Sequence, residues 1–136
     1  MKSRRKAREI ALAWLYQWDV RGPEVLDEMD EMLVLDRRPS DVADYVKDLV
    51  RGTIDHADEL DAALTAAADH WRVGRMAIVD RNILRMACYE MTRQGDVVPP
   101  KVAINEAIEL GKRYSTENSG AFVNGVLDRV RRNLGL

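Results

Sequence analysis

Phe122, Val123, Val126, Leu127, Val130 and Leu134 fall at i, i+1, i+4, i+5, i+8 and i+12, the spacing of one helix face. The same run holds Asn124-Gly125, a pair that marks a tight β-hairpin when it stands between alternating apolar residues. Alternation fails here because 122–123 and 126–127 are adjacent apolar pairs, so a helix runs through the Asn-Gly pair. Gly125 in mid-helix costs roughly 1 kcal/mol relative to Ala. The reading that explains it is close approach of another backbone, with Asn124 bonding a neighbouring helix or loop. Helical period recurs along the rest of the chain and a strand pattern nowhere, which restricts the fold to all-α.

Ser3 is the expected N-cap of a first helix whose stripe is Ala7, Ile10, Ala11, Trp14, Leu15 and Trp18. Arg4 and Arg8 are placed on a different face, and Gly22-Pro23 ends the segment. A short helix over 24–35 turns Val25, Leu26, Met29, Met32 and Leu33 inward, Pro39 breaks it, and Ser40 caps the next. From 41 to about 69 the period holds, with Gly52 or the 55–58 stretch dividing it into two helices. Gly74 marks a joint, and an apolar helix runs from Met76 to Gly95. Pro99 and Pro100 open the following one, where proline needs no amide donor, with Ala103, Ile104, Ala107, Ile108, Gly111 and Tyr114 inward. The expectation is six to seven helices in two small packed bundles, about 1–70 and 71–136, meeting near 70–75.

The 136 residues suffice for one domain with a core, and 46% hydrophobic with 32% charged residues describe a soluble globular chain. Cys88 has no cysteine partner, which suits a reducing cytoplasm. His56 and His70 stand apart, so no metal-ligand cluster is visible. The apolar run IALAWLY is too short for an export signal and has no cleavage site after it, and nothing spans a bilayer. Glycine-rich phosphate loops, nucleophile elbows, HExxH, EF-hand loops and CxxC pairs are missing, so neither catalysis nor a cofactor is expected.

The net charge of −2 conceals an asymmetry. Residues 2–8 carry Lys2, Arg4, Arg5, Lys6 and Arg8 without an acid, while 24–61 carry thirteen acids against four bases, a balance of −9. One basic end on an acidic body points to a confined anion site. Such a cluster can also be no more than a solvated helix start. The competing reading is an arginine-rich RNA contact, since guanidinium groups bind phosphate bidentately and stack on unpaired bases, with Tyr16 within two turns.

VPPKVAINEAIELGKRYSTENSGAFVNGVLDRV (98–130) resembles the C-terminal signature of the NusB family of bacterial transcription antitermination factors. RRKAREIALAWLYQWD (4–19) resembles that family's arginine-rich first helix and RNILRMACYEM (81–91) its central helix. The likeness implies two helical bundles side by side and no catalysis. It also implies pairing with NusE, a small-subunit ribosomal protein, and binding of the single-stranded boxA element of ribosomal RNA leaders. The assembly acts on RNA polymerase to promote read-through and aids rRNA maturation. Carried over by position, Arg4, Arg5, Lys6, Arg8 and Tyr16 contact RNA, joined by Arg85, Asn118 and Phe122, although Phe122 also suits the core. NusE falls to Asp80, Arg81 and Leu84. Asn105, Glu106, Asn124 and Gly125 are read as inter-helix contacts, and Cys88 and Tyr89 as core. Asn118 stands where many relatives have Asp, and GDVVPP is one residue longer than expected.

Two rivals differ in class. A NusB-like domain also fronts certain rRNA cytosine methyltransferases, but 136 residues without a βαβ pattern favour a free-standing cytoplasmic factor. The other rival is a protein-interaction scaffold, or a homodimer that masks the RNA surface, fed by Trp14, Trp18 and the central helix.

Overall fold

The computed structural model describes residues 2–69, 72–93 and 98–136. Among them are seven α-helices: α1 (Lys2–Arg21), α2 (Val25–Leu35), α3 (Ser40–Asp55), α4 (Ala57–Ala67), α5 (Ile78–Thr92), α6 (Pro100–Tyr114) and α7 (Ser119–Asn133). A one-turn 3-10 helix, Val73–Arg75, precedes α5. No strand occurs among the described residues, and none of their helices is long and apolar enough to cross a membrane. The expected end of α5 at Gly95, the first three residues of the GDVVPP loop, and 70–71 of the expected junction near 70–75 lie outside the described residues.

Helix α5 is the axis of the molecule. It packs against α1, α3, α4, α6 and α7, and Ile83, Leu84, Met86, Ala87, Cys88 and Met91 are buried along it. A helix apolar on most sides is stable only when neighbours cover it on most sides. Its polar residues must then be paired, and they are. Helix α1 lies on α3 and α5 through Ala7, Ala11, Leu12 and Leu15, while α6 and α7 pack together through Ala103, Ala107, Leu110, Val123 and Leu127. Helix α4 packs on α5 and α7 more than on α3, which ties both halves of the chain to one core.

Several local expectations hold. Gly22, at φ +99°, ends α1 in a conformation that only glycine adopts freely. The long 41–69 stretch divides at His56, and Pro100 opens α6 with Pro99 in the cap position. Gly52 does not break α3. A Cβ there would stand 2.1 Å from the Tyr89 ring, so glycine is what lets α3 and α5 meet.

Other expectations are corrected. Ser3 and Ser40 lie inside their helices and do not cap them. Gly125 and Asn124 are exposed on α7, and a Cβ on Gly125 meets nothing within 4 Å, so no backbone approaches there. Asn105 is exposed too. Tyr114 points outward at the end of α6, and Met32 is exposed on α2.

Candidate nucleic-acid interface

Helical period sorts the basic residues of α1 onto different faces. Arg8 precedes Leu12 and Leu15 by four and seven positions, so it shares their buried row. Its guanidinium donates from Nε to both Glu90 oxygens (2.9 and 3.1 Å), from Nη2 to Glu90 Oε2 (3.0 Å) and from Nη1 to Glu106 (3.2 Å). The Tyr45 hydroxyl donates to the same Glu90 carboxylate. Burial works against the Arg8 charge, but the bonds to Glu90 outweigh it and raise the pKa above the ordinary arginine value. Arg8 is therefore corrected from a surface contact to a buried link between α1, α5 and α6.

The neighbours of Arg8 face outward. The Arg5 side chain is 62% exposed and donates through Nε and Nη2 to the two oxygens of Glu106 (3.1 and 2.8 Å). Lys6 is exposed. Arg4 stacks on the Tyr45 ring, 4.8 Å from its centre, beside Asp41, Asp44 and Asp48 of α3. Between α1 and the end of α6 lies a cleft of about 250 Å³ lined by Arg5, Glu9, Glu106, Glu109, Lys112 and Arg113. Arg113 and Tyr114 both donate to Glu9, the latter at 2.9 Å. Lys112, Arg113 and Tyr114 were not foreseen as site residues. Their signal was the basic pair in GKRYST at the end of an otherwise amphipathic helix.

Beyond Glu9 the surface of α1 becomes an apolar groove of about 570 Å³, lined by Ile10, Ala13, Trp14, Tyr16, Val79 and Tyr114 among others. Tyr16 is 38% exposed there. Next to it, Ser115 donates to Asp80 (2.6 Å), and Asp80 shares a recess of about 360 Å³ with Met76, Asn118, Ser119 and Phe122. Asn118 is exposed at the start of α7, and Phe122 is half-buried, touching both core and recess. Basic cleft, aromatic groove and polar recess thus follow one another over α1, α6 and the start of α7.

Two expected contacts are corrected by a second buried network. Arg85 donates to Asp61 through Nε and Nη2 (2.8 and 2.9 Å), to Asp19 (2.9 Å) and to Asn82 (3.1 Å), and lies 5.5 Å from the Trp18 ring centre. It belongs to the interior. Leu84, expected at the partner surface, is fully buried core. Arg81 grips Asp19 with a two-pronged bond (2.7 and 2.5 Å) and is half-buried, as is Asp80, whose carboxylate is not tied into this buried network. Burial pushes the Asp19 carboxyl up, but its bonds to Arg81 and Asn82 prevail and hold it below the usual range.

The surface is equipped for binding anions and stacking rings. Among the described residues no group of three or more His, Cys, Asp or Glu could hold a metal ion, and burial pushes the Cys88 thiol up to about 12, too high for a thiolate nucleophile at neutral pH.

Comparison with known proteins gives the surface a family. The NusB family model matches residues 5–132. The chain belongs to the NusB family. It is 50% identical to the transcription antitermination protein NusB of Solibacter usitatus, covering 98% of this chain and 92% of that one. It is 44% identical to that of Geobacter sulfurreducens, with 98% and 97% covered. NusB of T. maritima superposes with a TM-score of 0.85 at 36% identity, over 95% of this chain and 90% of that one. A crystal structure of antitermination factors NusB and NusE in complex with double-stranded RNA matches with a TM-score of 0.85 at 30% identity, covering 98% of each chain. The NusB match takes in the cleft, the groove and the recess together.

Proposed function

We propose that this chain is a non-enzymatic, RNA-binding transcription antitermination factor that works with a NusE partner on boxA-type RNA in the cytoplasm, within the RNA polymerase antitermination complex. The observation that carries this reading is a surface pairing exposed cations (Arg5, Lys6, Lys112, Arg113) with an aromatic groove at Tyr16, on a chain of the NusB family. Cations hold a single strand's phosphates while aromatic faces stack its bases. The proposed RNA contacts are Arg4, Arg5, Lys6 and Tyr16, extended by Lys112 and Arg113 and by Asn118 and Phe122 at the recess. Asp80 is the proposed NusE contact.

Fluorescence anisotropy with a uracil-rich single strand, across salt and with and without NusE, tests this. Three phosphate contacts from Arg4, Arg5 and Lys6 give a log–log salt slope of about −2 for a single strand. Replacing these three by alanine flattens the slope and leaves NusE binding intact. A triple variant that keeps the original slope moves the RNA site elsewhere. An unaltered chain that binds RNA only after a dimer dissociates favours the masked homodimer.

A further inference from the structure

The exposed arginines of the cleft are already occupied by the protein's own carboxylates. Arg5 is held by Glu106, and Arg113 by Glu9. The two acids differ in kind. Glu106 also takes a bond from buried Arg8, so it is part of the framework. Glu9, among the described residues, accepts from groups at the surface, the guanidinium of Arg113 (63% exposed) and the hydroxyl of Tyr114. Its own side chain is largely covered, and it lines both the basic cleft and the apolar groove. It therefore stands on the ridge between the place for phosphates and the place for bases.

A carboxylate that receives a guanidinium and a phenol hydroxyl on one oxygen reproduces what a phosphate oxygen would receive there. Burial pushes the Glu9 carboxyl up, but the bonds from Tyr114 and Arg113 prevail and hold it below the usual range, so it is ionised at neutral pH. The Arg113 side of the pair is exposed and joins no buried network, so exchanging Glu9 for RNA there leaves the fold intact.

We propose that Glu9 is an internal stand-in for an RNA phosphate, holding Arg113 and Tyr114 across the seam between α1 and α6 until a strand displaces it. Glu9 then sets the affinity and salt dependence of the interface. A lone phosphate cannot replace it profitably, whereas a strand that also engages Arg5, Lys6 and the Tyr16 groove can. This rests on the RNA-binding reading above.

The test is a cycle of Glu9→Gln, Arg113→Ala and the double variant, read by anisotropy with a uracil-rich single-stranded RNA across salt, in the presence of NusE. Glu9→Gln raises affinity about three- to tenfold at low salt and steepens the slope by about 0.7, the value of one more phosphate contact on a single strand. In the Arg113→Ala background the same substitution changes little. An equal gain without Arg113 overturns the proposal, because removing a negative charge would then suffice. Unchanged or weakened binding by Glu9→Gln overturns it as well. Failure of the unaltered chain to bind the RNA, with or without NusE, refutes the RNA-binding reading and this proposal with it.

Discussion

Arg8→Ala should be the most damaging single truncation in the first helix, and the damage should fall on the fold. The Arg8 side chain is 4% exposed and the Glu90 side chain 1%. Removing Arg8 deletes three hydrogen bonds to Glu90 and one to Glu106, and leaves a buried carboxylate with the Tyr45 hydroxyl but without its cation. Breaking a buried ion pair by removing one partner costs about 3–5 kcal/mol. In a chain of this length 1 kcal/mol moves the midpoint by about 3–5 °C, so Tm should fall by about 10–25 °C. Arg5→Ala breaks an exposed pair and should move Tm little. Adding Glu90→Gln to Arg8→Ala removes the orphaned charge and should recover part of the loss. Thermal melts followed by circular dichroism decide it. If Arg8→Ala melts within about 2 °C of the unaltered chain while RNA binding collapses, Arg8 is a surface contact and the buried pairing is wrong.

Gly125→Ala should stabilise the chain by about 0.5–1 kcal/mol, because the position is helical, exposed and open within 4 Å of an added Cβ. This reverses the expectation drawn from the glycine's apolar neighbours, and a fall in Tm would mean that another chain covers that face. Acid should unfold the protein through Asp19 and Glu106, both held below the usual carboxylate range. For Asp19, burial is outweighed by the bonds to Arg81 and Asn82; for Glu106, the bond from Arg5 leads. Their folded pKa values lie below the unfolded ones, so their stabilisation is complete above about pH 4.5 and is lost as pH falls through the depressed values. A urea midpoint that stays flat from pH 5 to pH 3 would contradict this.

The helices were legible because apolar residues at helical spacing leave one way to bury them, and Pro100 and Gly22 mark their ends by backbone chemistry. What the sequence hid was the destination of charged residues. Arg4, Arg5, Lys6 and Arg8 read alike as a basic run, yet position eight falls on the row of Leu12 and Leu15, and the acid awaiting it is 82 residues away in sequence. Arg85 and Leu84 come to binding surfaces only through the family resemblance, position by position, against the apolar pattern of α5. The signal against that was already present, since a helix apolar on most sides is enclosed and its arginines must find acids. The cleft itself needed the approach of α6 to α1, which brings Arg113 to Glu9 across 104 positions.

The placement of acids also sets where a polyanion can run. Arg8, Arg81 and Arg85 are paired with Glu90, Asp19 and Asp61 in the interior, where their charges cancel at short range. They add little to the outer field. Arg4 marks the edge of the basic surface, beside Asp41, Asp44 and Asp48, of which Asp48 is itself paired with Arg93. On the α6 side each acid lining the cleft is matched: Glu106 by Arg5, Glu9 by Arg113 and Glu109 by Lys112. Lys6 is added to that side. On the proposed path a strand meets α3 only at its Arg4 edge and runs along α6, toward the groove at Tyr16. The overall charge of −2 is no obstacle to the proposed path, because Arg5, Lys112 and Arg113 gather in one cleft apart from the acidic 24–61 stretch.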